Sequence, residues 1–428
     1  MIAAALACVC FLGSGRHEGH VMQRRSVLLL TLGHFVTDIN QGALPALLPF
    51  LIAEYQLSYT AAAFIVFSSN IASTVVQPLF GHLADRISTP RLMPAGIVLA
   101  GAGMAAAGAV THYPWILVSV MVSGIGVAAF HPQGAQFMTR VAGEKKATAM
   151  SVFGVGGTLG FAAGPVIVTT AVLHLGLRGS LVLAIPAVLM AAVLIRQLSV
   201  SAGGETGLSA GRLAAAGAAP RDAWGPFAGL TVAVITRAIM FYGFNTFVPL
   251  YWIGVLQRSK AEGAVALTLF ALASVAGNLL GGRLADRFGQ TRVAAGGFCA
   301  LIPLIPVLLA VTSPSAALGA LMLIGMGLST TYSPLIILGQ RYLPNHVGLS
   351  SGVTLGVAIS IGGVAMPVLG QVADHYGLWA TLAGLGLLPI LATLIAFTLP
   401  QPERRTQPSD GYPAPALERS TPQPGSGG

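Results

Sequence analysis

Apolar residues in this chain come in long unbroken runs, separated by short polar stretches that carry nearly all of the charge. Twelve runs are readable, at about 26–52, 59–84, 92–111, 113–139, 147–173, 178–197, 225–254, 262–282, 292–312, 314–340, 349–373 and 378–399. About 20 helical residues cross a bilayer core of about 30 Å, and each run reaches that length. The pattern therefore predicts an all-α membrane protein with twelve transmembrane helices. A soluble fold is excluded on the same ground, because twelve successive apolar helices would have no shared core to hide in.

A charged frame interrupts this pattern twice. Gly81-His-Leu-Ala-Asp85-Arg86 and Gly282-Arg-Leu-Ala-Asp286-Arg287 stand 201 residues apart, and Arg91 and Arg292 follow them at the same offset. In a chain only 8% charged, such an echo marks one half as a structural copy of the other. The expectation is two pseudo-symmetric six-helix bundles, a repeat architecture that rocks about a central site. The bundles are placed at 26–197 and 225–400. Between them, residues 198–224, rich in Ser, Gly and Ala, read as a flexible cytoplasmic linker, and residues 401–428, rich in Pro, Ser and Gly, as a disordered cytoplasmic tail. Residues 1–25 form an N-terminal extension. Its first 21 residues have a short apolar stretch with no preceding positive charge, which makes a poor signal peptide. The expectation is a misassigned start, with the protein beginning at Met22-Gln-Arg-Arg.

Net charge is +9, and its distribution sets the orientation. With the N-terminus inside, cytoplasmic segments hold 18 of the 22 basic residues, outer loops hold Arg178, Arg258 and Lys260, and Arg237 lies within a span. That bias puts both termini and both Asp-Arg loops in the cytoplasm. It also accounts for the basic balance without nucleic-acid binding. Cys8, Cys10 and Cys299 offer neither a disulfide framework nor metal spacing, and no cofactor or metal is expected.

The paired frame, on six spans plus a linker plus six spans, resembles the major facilitator superfamily, whose loop between spans 2 and 3 reads Gly-x-x-x-Asp-Arg-x-Gly-x-Arg. The second copy matches at Gly282, Asp286, Arg287 and Gly289, with Arg292 one residue past the final position, and the first departs at Ser88. The resemblance implies that Gly81, Asp85, Arg86, Arg91, Gly282, Asp286, Arg287 and Arg292 form a conformational latch rather than a substrate site. His34-Phe-Val-Thr-Asp38-Ile-Asn-Gln41, Ala129-Phe-His-Pro-Gln-Gly134, Val152-Phe-Gly-Val-Gly-Gly157 and Leu343-Pro-Asn-His-Val-Gly348 are similar to the fosmidomycin-resistance branch of that superfamily. That likeness implies a proton-coupled exporter of small drugs, phosphonates among them, in a bacterial inner membrane. Gly160, Gly164 and Pro165 in span 5 resemble the glycine-rich stretch of superfamily antiporters. With Gly362, Gly363 and Pro367 in span 11, they are expected to let spans 5 and 11 approach closely and bend.

The spans themselves carry little chemistry, so each polar group stands out. Asp38 is the only carboxylate near the middle of any span, where insertion is unfavourable by roughly 3 kcal/mol. His34, four residues earlier, projects from the same face. The pair either shares a proton that couples transport or fixes span 1 by hydrogen bonding. His131, just before Pro132, either relays protons or satisfies the carbonyl that the proline frees. Gln133 stands where the resembled branch is expected to carry an acid. Arg237 is the only basic residue deep in a span; its fork suits a phosphonate or carboxylate, or else it pairs with Asp38. Tyr242 and Asn245 on the same span are candidates for substrate contact or helix packing.

The composite reading is a proton-coupled efflux antiporter of small drugs or metabolites, working by alternating access as a monomer in the lipid bilayer. The alternatives kept open are a proton-coupled uptake symporter and a transporter-like sensor. An enzyme is not expected, because the spans hold no Ser-His-Asp constellation, no His-Glu-x-x-His and no second buried carboxylate.

Overall fold

The computed structural model describes residues 24–86, 91–142, 146–201, 221–346, 349–350, 353–354 and 358–401, without the side chains of 77–86, 139–140, 146–148, 151, 198–201 and 358–360. The described chain is helical, with no strand. In the first half the helices are α1 (Arg24–Tyr55), α2 (Tyr59–Arg86), α3 (Leu92–Ala107), α4 (Tyr113–Val141), α5 (Lys146–Leu175), a short 3-10 turn at Leu177–Leu183, and α6 (Ala184–Ser201). The second half has α7 (Trp224–Gly254), α8 (Lys260–Phe288), α9 (Gln290–Ala310), α10 (Pro314–Thr330), α11 (Tyr332–Tyr342), α12 (Ala358–Leu385) and α13 (Leu388–Thr398).

Most described residues of every apolar run are helical, with non-helical ends at 108–111 and 311–312 and turns at 331 and 386–387. Among the described residues, ten stretches are long and apolar enough to cross a bilayer, and Leu92–Ala107 is a shorter apolar helix. One of the ten, Ile361–Thr398, joins parts of the last two runs. They separate at Gly377, whose φ of 82° and ψ of 167° end one helix and start the next. Only glycine adopts that backbone without strain. Prolines sit inside α1, α4, α5, α7, α9 and α12, as is tolerated where neighbouring helices shield the freed carbonyls.

Burial runs opposite to that of a soluble protein. Leu189, Leu394 and Phe397 are 62%, 62% and 72% exposed on the outer faces, while Thr37, Asn40 and Gln133 are buried within. Lipid accepts the former, and the latter need protein partners.

Within the first half α1 packs along α5, α2 along α4, and α3 against α6; α7 with α12, α8 with α10, and α9 with α13 repeat the scheme. The halves meet where α2 lies on α12 and α5 on α8. The expected approach of spans 5 and 11 is therefore corrected: each closes on the first span of its own half. A Cβ on Gly160 would lie 2.1 Å from the Phe35 carbonyl oxygen of α1, and one on Gly362 would lie 2.7 Å from Tyr242 Cδ2 of α7. The pseudo-two-fold arrangement gives spans 5 and 11 different partners across the interface, α8 and α2.

The second Asp-Arg frame ends α8. Asp286 and Arg287 lie in its last turn, with the Arg287 guanidinium 5.2 Å from the Phe288 ring centroid. Gly289 turns the chain with φ 95° and ψ 149°. Gln401 covers this turn, accepting from Thr291 N and Thr291 Oγ1 and donating to Gln290 Oε1 at 3.0 Å. Arg292 is exposed beside it, and no atom of another element would meet a Cβ on Gly282. In the first frame Gly81, Asp85 and Arg86 continue α2 to its end, but their side chains lie outside the described residues, as does Ser88. Arg91 is the exposed residue preceding α3.

At the opposite end of the bundle the halves are fastened by a carboxylate. Asp374 of α12 accepts from the Tyr59 and Thr60 backbone N–H groups, at 2.7 and 2.9 Å, and from Thr60 Oγ1 at 2.6 Å. These donors open α2 and have no intrahelical acceptor, and the positive helix end favours the anion. Close by, Lys260 at the start of α8 lies over the Phe50 ring of α1 at 4.4 Å. Replacing a helix-capping acceptor by alanine costs about 0.5–2 kcal/mol. Asp374→Ala is therefore expected to lower the thermal midpoint of the purified protein, with Asp374→Asn falling between it and the parent. A midpoint for Asp374→Ala equal to the parent's would refute this fastening.

Candidate functional site

The first functional cluster is built by three helices of the N-terminal half. On α1, His34 and Asp38 are one turn apart, so both side chains leave the same face. On α4, His131 precedes Pro132, and the helix continues through it. His34 Nε2 lies 3.2 Å from Asp38 Oδ2, and His131 Nε2 lies 3.1 Å from Asp38 Oδ1 and 3.1 Å from His34 Nε2. Gln41 Nε2 approaches the same Oδ1 at 3.5 Å.

Span 5 supplies the back wall. Phe153 of α5 accepts a hydrogen bond from His34 Nδ1 at 2.8 Å, and its ring stacks on the imidazole at 4.1 Å between centroids. Gly157 faces the polar atoms directly: a Cβ there would lie 2.5 Å from His34 Nε2 and 2.6 Å from Asp38 Oδ2. Glycines at 157, 160 and 164 share one face of α5, where a Cβ would meet α1 at each position. Absent side chains thus let two backbones touch, and the carboxylate is pressed into that seam. Phe153 and Gly157 were not among the candidates from the sequence, although both belong to the Val152–Gly157 motif.

The arrangement leaves a proton deficit. The Phe153 carbonyl can only accept, so His34 Nδ1 carries a proton and a neutral His34 has a bare Nε2. A single proton on His131 Nε2 serves its own two contacts, but it leaves the His34 and Asp38 lone pairs facing each other. One further cation between them resolves the clash.

The second cluster belongs to the C-terminal half. Arg237 of α7 lies with its guanidinium 4.8 Å from the Tyr332 ring centroid, a desolvated cation–π contact. Tyr332 opens α11 directly after Thr331, in the middle of span 10. Nothing local in the sequence pointed to Tyr332. Tyr242, about one turn and a half along α7 from Arg237, is near enough to interact electrostatically with Arg237, Tyr332 and Asp38. Among the described residues the ion partners of Asp38 are the two histidines, not Arg237.

The remaining candidates separate from these clusters. Asn245 donates to its own helix at Phe241 O, 2.8 Å away, while its Oδ1 is buried without a partner. Gln133 is 2% exposed and its Nε2 also has no partner. Pro165 and Pro367 lie inside α5 and α12. An apolar groove lined by Leu284, Phe288, Val293 and Met326 shares no residue with either cluster.

Comparison with known proteins gives a consistent set of relatives. A family model described as Major Facilitator Superfamily matches residues 30–355. An uncharacterized MFS-type transporter, YfnC of Bacillus subtilis (strain 168), is 28% identical over 391 residues, covering 88% of this chain and 93% of the relative. The fosmidomycin resistance protein of Escherichia coli (strain K12) is 25% identical over 375 residues, covering 86% and 91%. Among solved structures, a bacterial homologue of the human lysosomal transporter Spinster, in an inward-facing and occupied conformation, superposes with a TM-score of 0.74 at 15% identity, over 90% of this chain and 97% of that one. A nucleoside transporter, NupG, gives 0.71 at 13% identity over 87% and 99%.

The seam between α1 and α5 yields a paired test. Gly160→Ala must move a backbone, and overpacking of this kind costs about 1–3 kcal/mol. Gly154 has nothing within 4 Å of its would-be Cβ, so Gly154→Ala is expected to be neutral or mildly stabilising through helix propensity. Thermal unfolding of the two variants checks this, and equal midpoints would contradict the seam.

Proposed function

Because the chain belongs to the major facilitator superfamily, a family of multi-pass membrane transporters of small molecules, we propose that it is a proton-coupled antiporter exporting small drugs or metabolites, anionic ones included. The observation that carries this reading is Asp38 held between His34 and His131, each about 3.1–3.2 Å away in the first half. A carboxylate with two imidazoles can gain or lose a proton with little geometric change. Burial makes each charge state depend on what else occupies the cavity.

Arg237 takes the opposing role. With no carboxylate partner among the described residues, the guanidinium is available for an anionic substrate group, while Tyr332 packs against it. Tyr242 senses both charges, so protonation of the Asp38 cluster alters the potential felt at Arg237. That is a physical route from proton entry to substrate release. Similarity to a fosmidomycin resistance protein supports export and makes phosphonates the first substrates to try.

The basic-residue distribution supports cytoplasmic termini at a bacterial inner membrane, an orientation that makes the end fastened by Asp374 the outer one. In that frame the described arrangement is joined outwards, and the rocking of two halves, 26–197 and 225–400, delivers the site to each side in turn. The protein works as a monomer, since each copy holds a complete pair of clusters.

Purified protein in sealed vesicles tests the reading. Substrate flux is expected to follow an imposed pH gradient in the direction of exchange, and flux with the proton would establish uptake by symport instead. Asp38→Asn is expected to reduce gradient-driven flux to background while sparing substrate counterflow; unchanged driven flux would remove Asp38 from coupling. Arg237→Ala loses a charge-assisted hydrogen bond of about 1.5–3 kcal/mol, so KM for anionic substrates is expected to rise roughly tenfold or more. Equal losses for neutral and anionic compounds would assign Arg237 to packing.

A further inference from the structure

We propose that His34, Asp38 and His131 form a binding site for a divalent transition-metal ion of the zinc class. The three residues each offer a ligand atom, all within 4.8 Å of one another. The cluster's edges are 3.1 Å between the two Nε2 atoms, 3.1 Å from His131 to Oδ1 and 3.2 Å from His34 to Oδ2. An ion bound tetrahedrally at about 2.0–2.1 Å from its ligands sets them about 3.3 Å apart, so shifts of a few tenths of an ångström complete the site.

Three further features favour a metal. The two Nε2 atoms converge on each other, an arrangement that neutral imidazoles avoid unless a proton or metal lies between them. His34 donates its other ring proton to the Phe153 carbonyl at 2.8 Å, the outer hydrogen bond that fixes a ligating histidine's tautomer and aims its Nε2 lone pair. Stacking on Phe153 at 4.1 Å holds the ring plane. Two imidazole nitrogens and one carboxylate select zinc, cobalt or nickel over magnesium and calcium, which prefer all-oxygen cages. One carboxylate and two neutral imidazoles leave a net charge of −1, and a divalent ion reverses it.

The sequence hides this site. His34 and Asp38 have a ligand-compatible spacing on one helix, but the third ligand lies 97 residues later on another, so no contiguous motif forms.

The inference does not rest on proton coupling, and its test uses no gradient. Detergent-purified full-length protein, freed of any affinity tag, is titrated with Co²⁺, following visible absorption and bound metal per chain. One saturable equivalent with intense tetrahedral-type bands, displaced by Zn²⁺, is the expected result. His131→Ala and Asp38→Asn are each expected to weaken binding by about tenfold or more. Gly157→Ala, which removes no ligand but pushes a methyl against His34 and Asp38, is expected to weaken it too. The triple variant His112→Ala, His174→Ala, His375→Ala, altering exposed histidines, should keep the equivalent. Variants are compared only where gel filtration shows a monodisperse protein. No saturable equivalent in the folded parent would overturn the site, as would parent-like affinity in both His131→Ala and Asp38→Asn. Either failure leaves gradient-driven transport to stand or fall by its own assay.

Discussion

A carboxylate in the membrane interior has to be compensated locally, and much of the N-terminal half follows from how Asp38 is accommodated. Lipid offers it nothing, so the compensating groups must come from other helices. His34 supplies one imidazole from the same turn. His131 supplies the other from α4, and α5 supplies the wall that orients the first. For the wall to reach close enough, α5 needs glycine wherever it faces α1, which is why a Cβ on Gly157 or Gly160 would strike polar atoms or backbone. The packing of three helices is thus dictated by one ionisable group.

The C-terminal half solves the mirror problem with a cation. Arg237 occupies the span that corresponds to α1 under the internal repeat, but among the described residues its neighbours are the rings of Tyr332 and Tyr242 rather than counter-ions. A guanidinium tolerates this better than an ammonium would, because it is flat and weakly hydrated. The two halves therefore place unlike ionisable groups on equivalent helices. Geometric symmetry is thus combined with chemical asymmetry.

Long-range architecture was legible in the sequence because lipid enforces length and polarity so strictly. Twelve apolar runs and a frame repeated at a fixed offset located the helices and the halves. His34 and Asp38 were legible for the same reason, since a charge in such a run needs a purpose. What escaped were relations between helices. Tyr332 meets Arg237 from a different span, Phe153 acts through its backbone carbonyl, and the partner of span 5 is set by the two-fold packing. None of these leaves a mark on local composition. Gly289 sits between these cases: its place in the repeated frame was plain, whereas its cover by Gln401 came only with the fold.

The Asp374 contact has a further implication. Two of its three donors are peptide N–H groups, which cannot titrate, swing to another rotamer or be exchanged by substitution; the third is the Thr60 hydroxyl. Parting the halves at that end therefore requires water to take over two amides whose positions α2 fixes, and Asp374 on the opposing half is the acceptor common to all three bonds. Altering that one acid changes how firmly the two halves are joined there, leaving the helix it grips untouched.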